Sequence, residues 1–504
     1  MSYDANFLIT RLRAASLGRE GDVFAQIPGR DPVSFGDLFR GAERMAAALT
    51  AQGVVPGDRV AVQVAKTIEV VQLYLGTVMA GAVFLPLNTA YTTPEVAYFL
   101  GDATPRVVVC DPARAQDMRG IAGDARVLTL DAGGQGTLTQ IADAQTGFDP
   151  VARGADDLAA ILYTSGTTGR SKGAMLSHRN LSDNTLVLRD YWRFTKADVL
   201  IHALPIFHTH GLFVATNVAL CSGAQVVFLP GFDADAILQA MPTATALMGV
   251  PTFYTRLLAD DRLIRDRAAN MRLFVSGSAP LLVDTHEQWE ARTGHRILER
   301  YGMTETNMNT SNPYDGDRRA GTVGFPLPGV ELRIMADGAP VPQGEIGVLE
   351  VRGDNVFQGY WQMPEKTAEE LRPDGWFITG DLARQDDDGY VIIVGRQKDL
   401  VITGGFNVYP KEIESLIDDL PGVLESAVIG VPHPDFGEAV VAVVVATDPA
   451  LTAQDVQGAL AGQLARFKQP KQVILLPALP RNTMGKVQKK ALREDYAGLF
   501  TASV

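Results

Sequence analysis

The sequence predicts an α/β protein with a large N-terminal domain and a small mobile α+β C-terminal domain. The large domain is expected to hold two doubly wound parallel-sheet subdomains plus a small β-barrel-like section. Three observations predict this. Short apolar runs alternate with helical stretches through the first 320 or so residues, which implies parallel sheets covered on both faces. After about Gly321 the runs shorten and turn residues crowd together, as in an antiparallel section. Beyond Arg396 the order becomes helix, strand, strand, helix, strand, the mark of a separate α+β module. The expected domains are therefore residues 1–395 and 396–504.

In the first series, strand-like Val60–Val64 is followed by a helix, Val83–Leu87, another helix, and Arg106–Cys110. Leu158–Leu162 and Ala174–Leu176 form two further apolar runs around a glycine-rich segment. The second series runs through Val199–Leu204, Gln225–Leu229, Ala246–Val250, Leu273–Ser276 and Ile297–Tyr301, with a helix after each of the first four. Ligands of such sheets bind beyond the carboxyl ends of the strands. Ser276-Gly-Ser278 and Tyr301-Gly-Met-Thr-Glu305 each sit at such an end. Gly347–Val351 and Tyr390–Val394 are the strand-like runs of the antiparallel section. In the last module, Pro410–Asp418 suits a helix that opens on proline with Glu412 and Glu414 near its positive end. A second helix is expected over Ala453–Ala465.

Composition narrows the function. With 504 residues, 46% hydrophobic and 20% charged, the chain reads as a soluble globular enzyme. A net charge of −13 argues against a nucleic-acid partner. Cys110 and Cys221 are the only cysteines, so neither a disulfide framework nor a cysteine metal site is expected. The N-terminus lacks a signal-peptide pattern and no run of 18 apolar residues exists. A cytoplasmic protein with no membrane partner is the expectation.

The densest chemical signal is Tyr163-Thr-Ser-Gly-Thr-Thr-Gly-Arg-Ser-Lys-Gly173, with three glycines, five aliphatic hydroxyls and two cations. Glycines let backbone N–H groups turn toward an anion, and hydroxyls and a lysine add donors. The pattern is not a Walker A loop, because the glycine and lysine spacing differs and a strand, not a helix, follows Lys172. An ordinary P-loop kinase or ATPase is disfavoured on the same ground. Beside such a loop, Glu305 suits Mg²⁺, which takes one carboxylate together with phosphate oxygens. Asp381, in Thr379-Gly-Asp381, reads either as a turn residue or as an acceptor for a ribose diol. Arg396 lies where the small module begins.

Taken together, these motifs resemble the adenylate-forming superfamily of acyl-CoA synthetases, non-ribosomal adenylation domains and firefly luciferase. The resemblance rests on Tyr163–Gly173, Tyr301–Glu305, Gly344–Gly353 with Gly359-Tyr-Trp361, Thr379–Asp381, Gly395–Tyr409 and Arg481-Asn-Thr-Met-Gly-Lys486. Ser171 stands where many members have proline. The resemblance implies that ATP is bound by Thr164, Ser165, Gly166, Thr167, Thr168, Gly169 and Lys172 together with Tyr301, Gly302, Met303, Asp381 and Arg396. Thr304 would touch phosphate and Glu305 would place Mg²⁺. Lys486 would be the catalytic lysine, Lys398 the hinge, and Gly404 and Gly405 the path of the coenzyme A arm. Acetylation of Lys486 would remove the charge its role requires, and regulation there would need a lysine acetyltransferase and a deacetylase as partners.

Two features bear on the acid. Phe207-His-Thr-His-Gly211 leads from a strand into a helix, and the resemblance places His208 or His210 as a gate beside the carboxylate. Arg256 lies one turn into a helix that starts at the end of a strand expected to border the acyl pocket. A buried arginine there would take the second carboxylate of a short diacid, with Ser278 as a further donor. Val275-Ser-Gly-Ser-Ala-Pro280 and Arg300–Thr306 look most like malonyl-CoA synthetases. The implied substrate is malonate, then methylmalonate. Another short acid, or loading of a carrier protein, is the alternative.

Overall fold

A computed structural model describes residues 4–164, 171–404, 406–461, 463–482 and 485–500. The first parallel series forms a six-stranded sheet. Its spatial order is Arg126–Thr129, Val107–Cys110, Arg59–Gln63, Val83–Pro86, Leu158–Thr164 and Lys172–Ser177. All neighbours are parallel except the last pair, an antiparallel hairpin. Val107–Cys110 shows why the sheet is buried on both faces. Val107 and Val109 enter the main core, while Val108 and Cys110 enter a second cluster behind the sheet. Successive side chains of a strand point to opposite faces, so an unbroken apolar run needs cover on both.

The second series forms a nine-stranded sheet. Gln225–Phe228 lies on one side of Val199–His202, and Ala246–Gly249, Leu273–Ser276 and Leu298–Met303 follow in order on the other. The chain reverses its winding direction at Val199–His202, and the crevice beyond the carboxyl ends of that strand and Ala246–Gly249 is the place for a ligand. Two strands absent from the sequence reading, Val23–Gln26 and Val33–Ser34, extend this sheet from the chain's beginning. Helices Phe35–Ala51, Ile68–Met79, His178–Tyr191 and Asn217–Ser222 contribute to one core that also takes residues from both sheets.

The antiparallel section is a five-stranded sheet in the order Ala339–Pro340, Glu331–Ala336, Gly347–Arg352, Phe377–Gln385 and Val391–Arg396. After Arg396 come strands Val401–Thr403, Phe406–Val408, Val423–His433, Gly437–Ala446 and Gln472–Leu475, with two cores of their own. The helix expected over Ala453–Ala465 stops at Leu460. Ala461 turns extended, which lets Leu464 fold back into the small core. Among the described residues no helix is long and apolar enough to cross a membrane. Both cysteines are buried and unpaired with each other.

Candidate active site

The glycine-rich loop is carried by the hairpin of the first sheet. Thr164 and Lys172 face each other in antiparallel register, and the Thr164 hydroxyl donates to the Lys172 carbonyl at 3.4 Å. Ser165, Gly166, Thr167, Thr168 and Gly169 lie outside the described residues. The Lys172 ammonium sits 3.1 Å from both carboxylate oxygens of Glu370 and over the Tyr360 ring at 4.0 Å. Tyr360 donates to Glu370 at 2.5 Å and approaches Glu305 Oε1 at 3.1 Å. One hydroxyl thus joins the loop lysine's partner to the expected metal carboxylate. Burial raises the Glu305 carboxyl above its ordinary range, opposed by its backbone hydrogen bond and by Lys172. That environment suits a cation. A single buried carboxylate beside phosphate oxygens fits Mg²⁺, which keeps most of its shell as water and phosphate.

Tyr301 and Asp381 come from different sheets. The Tyr301 hydroxyl donates to Asp381 Oδ2 at 2.5 Å, and Arg396 Nε pairs with Asp381 Oδ1 at 3.0 Å. Asp381 and Arg396 are cross-strand partners, so the antiparallel register itself fixes this pair. Asp381 raises the Arg396 guanidinium further above its ordinary value. Gly302, Met303 and Thr304 continue from Tyr301 into the turn that leads to Glu305.

His208, His210 and Ser278 meet at the crevice of the second sheet. Ser278, a non-glycine residue at φ 71°, places its hydroxyl 3.3 Å from His210 Nδ1. Such a backbone conformation is uncommon for serine and here lies beside chemistry. The expected helix begins instead as a wide π-turn, His210–Thr216. Gly211 permits it, since a Cβ there would stand 1.9 Å from the Pro205 carbonyl oxygen. Burial, reinforced by nearby cations, pushes His208 down to about 3 and His210 down as well, so both rings are neutral at pH 7. Arg256 does not join them. It is exposed, with its guanidinium 5.4 Å from the Phe232 ring centre. The burial expected of it is supplied elsewhere, because its side chain leaves helix Pro251–Leu258 on the solvent side while Tyr254 takes the core side.

The small module closes the site. Lys486 is accessible to solvent yet ringed by protein. That surround, then Arg396, lowers its ammonium below the ordinary lysine value, while Asp381 and Glu305 act in the opposite sense. Its backbone N–H donates to Asn482 Oδ1 at 3.0 Å, and Asn482 N–H returns to the Lys486 carbonyl at 2.9 Å. Lys398 lies in the short turn Gln397–Asp399, where burial lowers it to about 8. Gly404, at φ +58°, donates its N–H to the Phe436 carbonyl, and Gly405 lies outside the described residues.

Residues 14–361 match the AMP-binding enzyme family, and residues 412–486 match the AMP-binding enzyme C-terminal domain. The chain belongs to the AMP-binding enzyme family. This AMP-binding enzyme is 36% identical over 480 residues to malonate–CoA ligase of Arabidopsis thaliana, covering 88% of this chain and 79% of that one. Sulfoacetate–CoA ligase of Cupriavidus necator is 36% identical over 478 residues, covering 91% and 92%. Among solved structures, ATP-bound MatB from Rhodopseudomonas palustris superposes with a TM-score of 0.96 at 58% identity, covering 99% of this chain and 100% of that one.

Three residues of this AMP-binding enzyme's site were missed in the sequence. Tyr360 stood inside the noted Gly359-Tyr-Trp361 but carried no chemistry of its own there. Glu370 ends the charged helix Pro364–Glu370, which reads as a solvated face. Arg300 stood in the tract Arg300–Thr306 without an assigned role. Alternation along Leu298–Met303 was the only signal that could have placed its side chain.

Proposed function

We propose that this chain is an AMP-forming acid–CoA ligase that activates malonate, with methylmalonate as a second substrate. The observation that carries the ligase reading is the position of Lys486, brought from the small module to within electrostatic reach of Glu305, Asp381 and Arg396. Similarity to malonate–CoA ligase and to MatB supports the acid.

The work divides between residues 1–395, which hold ATP and acid, and residues 396–504, which bring Lys486. In the first half-reaction an oxygen of the acid's carboxylate attacks the α-phosphorus of ATP, and the bond to pyrophosphate breaks. The loop Thr164–Lys172 and Thr304 hold the phosphates, Tyr301 with Gly302 and Met303 lies against the adenine, and Asp381 and Arg396 hold the ribose. Lys486 stabilises the charge that builds on the carboxylate and α-phosphate oxygens. Glu305 would hold Mg²⁺, which would supply electrostatic stabilisation of the phosphates. The small domain then rotates about Lys398. Coenzyme A enters past Gly404 and Gly405, its sulfur attacks the acyl carbon, and AMP leaves. The neutral ring of His210, held by Ser278 with His208 beside it, borders the reacting carboxylate, and Ser278 faces the far end of the acid. Acetylation of Lys486 by a lysine acetyltransferase would switch off the first half-reaction, and a deacetylase would restore it.

Pyrophosphate release tests the reading across acetate, malonate, methylmalonate, succinate, sulfoacetate and octanoate. Malonate should give the highest kcat/KM, with AMP as the nucleotide product. A preference for acetate or octanoate would overturn the choice of acid, and ADP as product would overturn the reaction.

A further inference from the structure

The glycine-rich loop hangs from the edge of a sheet. Strand Lys172–Ser177 is the outermost of its six, and its ladder with Leu158–Thr164 ends at the pair Thr164–Lys172. On the outer side the strand takes an isolated bridge to Tyr360 and the Trp361 N–H, donated to the Gly173 carbonyl at 2.7 Å. The loop lysine thus stands at the very end of its ladder. A group that must meet phosphate oxygens in one geometry needs its backbone fixed by something more.

Helix Thr93–Ala103 supplies it. Tyr98 and Asp102 stand four residues apart and share one face of that helix. The Tyr98 hydroxyl donates to the Ser171 carbonyl at 2.9 Å, one residue beyond the end of the ladder. On the other limb, the Tyr163 hydroxyl donates to Asp102 Oδ2 at 2.5 Å. One helical turn therefore holds both limbs, giving a donor to one and an acceptor to the other. Rings set the spacing, with Phe99 at 4.5 Å from Tyr163 between centroids and Tyr98 edge-on to Tyr163 at 6.3 Å. The Trp361 indole N–H closes the ring of contacts on the Asp102 carbonyl at 3.2 Å. The helix has a fixed base, because a Thr92–Glu95 capping box starts it and Val96, Phe99, Leu100 and Ala103 enter a buried core. Tyr98 and Ser171 are both part-exposed, where water can satisfy either group, so what their bond chiefly fixes is position.

We propose that Tyr98 and Asp102 are positioning residues for the phosphate loop, fixing the backbone on either side of it and thereby the place where the Lys172 ammonium meets ATP. The inference rests on the ligase reading above and brings in a helix to which that reading gives no part. Lys172 follows Ser171 directly, so a shift of the Ser171 carbonyl carries the ammonium with it. A misplacement of about 1 Å costs on the order of 100-fold in such a step. The effect falls on adenylation alone. When the thioester forms, the phosphates that leave as pyrophosphate are already gone.

The test measures pyrophosphate release, thioester formation from supplied malonyl-AMP and coenzyme A, and ATP binding by calorimetry, all on the full chain. Wild type is compared with Tyr98→Phe, Asp102→Ala and Asp102→Asn. Tyr98→Phe and Asp102→Ala should each lower kcat/KM for ATP by about tenfold and weaken ATP binding, with KM for malonate and the thioester step within about twofold. Asp102→Asn keeps an acceptor for Tyr163 and should recover most of the loss. Thermal melting reports folding, and Tyr98→Phe, which keeps its ring, carries the test alone should Asp102→Ala not fold. An equal loss in both steps would overturn the proposal in favour of a structural role. So would a kcat/KM for ATP in Tyr98→Phe within about twofold of wild type. ADP as the wild-type product would instead overturn the ligase reading, and ATP binding would then still decide the role of Tyr98 and Asp102.

Discussion

Glu299 carries a carboxyl that burial raises from 4.5 to about 8, opposed by the Leu281 N–H and by Lys411 of the small module. Below pH 4.5 the group is neutral in folded and unfolded chains alike, and its contribution to stability is fully present. As pH rises toward about 8 only the unfolded chain ionises, so stability is lost, and above that the loss is complete. Glu299→Gln keeps an acceptor for Leu281 and cannot ionise. The variant's melting temperature should therefore fall less than the wild type's between about pH 5 and pH 8, by a few degrees. Parallel curves would show that Glu299 is ionised in the folded protein. His208 and His210 act in the opposite sense, since burial keeps both rings neutral in the fold and stability is lost as pH falls below the ordinary imidazole value, equally in wild type and variant.

Helix Pro364–Glu370 and the hairpin Leu158–Thr164/Lys172–Ser177 meet through one ion pair, Lys172 to Glu370. Both side chains are less than a quarter exposed, so the pair is only partly screened. Phosphates of ATP and the Glu370 carboxylate want the same ammonium. Glu370→Gln removes the competitor and should lower KM for ATP by roughly fivefold, the equivalent of about 1 kcal/mol. Steady-state kinetics with saturating acid reads this directly. A higher KM would mean that Glu370 aims Lys172 at the phosphates. The π-turn His210–Thr216 is the other element bent to the site, and Gly211 is what makes its approach to Pro205 possible.

At the scale of the molecule, the proposed reaction would depend on a lysine from one module acting at a site built by another. Lys486→Ala should abolish acyl-adenylate formation yet spare thioester formation from supplied malonyl-AMP and coenzyme A. The first half-reaction needs the ammonium, and the second is expected after the module has rotated away. Pyrophosphate release and acyl-CoA formation, measured separately, decide it. Equal loss of both steps would sink the role given to this lysine. The link Arg493 to Asp399, at 2.9 Å, ties the last helix to the short turn Gln397–Asp399 that carries Lys398.

Much of this was legible in one dimension. Unbroken apolar runs at helical intervals specify parallel strands covered on both faces, and they placed the carboxyl-end loops that carry Ser278, Tyr301 and Glu305. The two strands around the glycine-rich loop followed from two short apolar runs, while their antiparallel pairing came only from the fold. Charge and cysteine content argued against a nucleic-acid partner and a disulfide framework, because acidic residues outnumber basic ones and the chain has only two cysteines. Motif order carried the family. What the chain order could not convey was partnership between distant residues. Tyr301 finds Asp381, Lys172 finds Glu370 through a helix almost two hundred residues away, and Val23–Gln26 joins a sheet otherwise built far downstream. Nor could it separate one arginine from another. Arg256 and Arg300 look alike as letters, but strand alternation and the gap at Gly277 bury one, while a helix face leaves the other in water. A charge acquires its meaning from the dielectric around it, and that is set by packing in three dimensions.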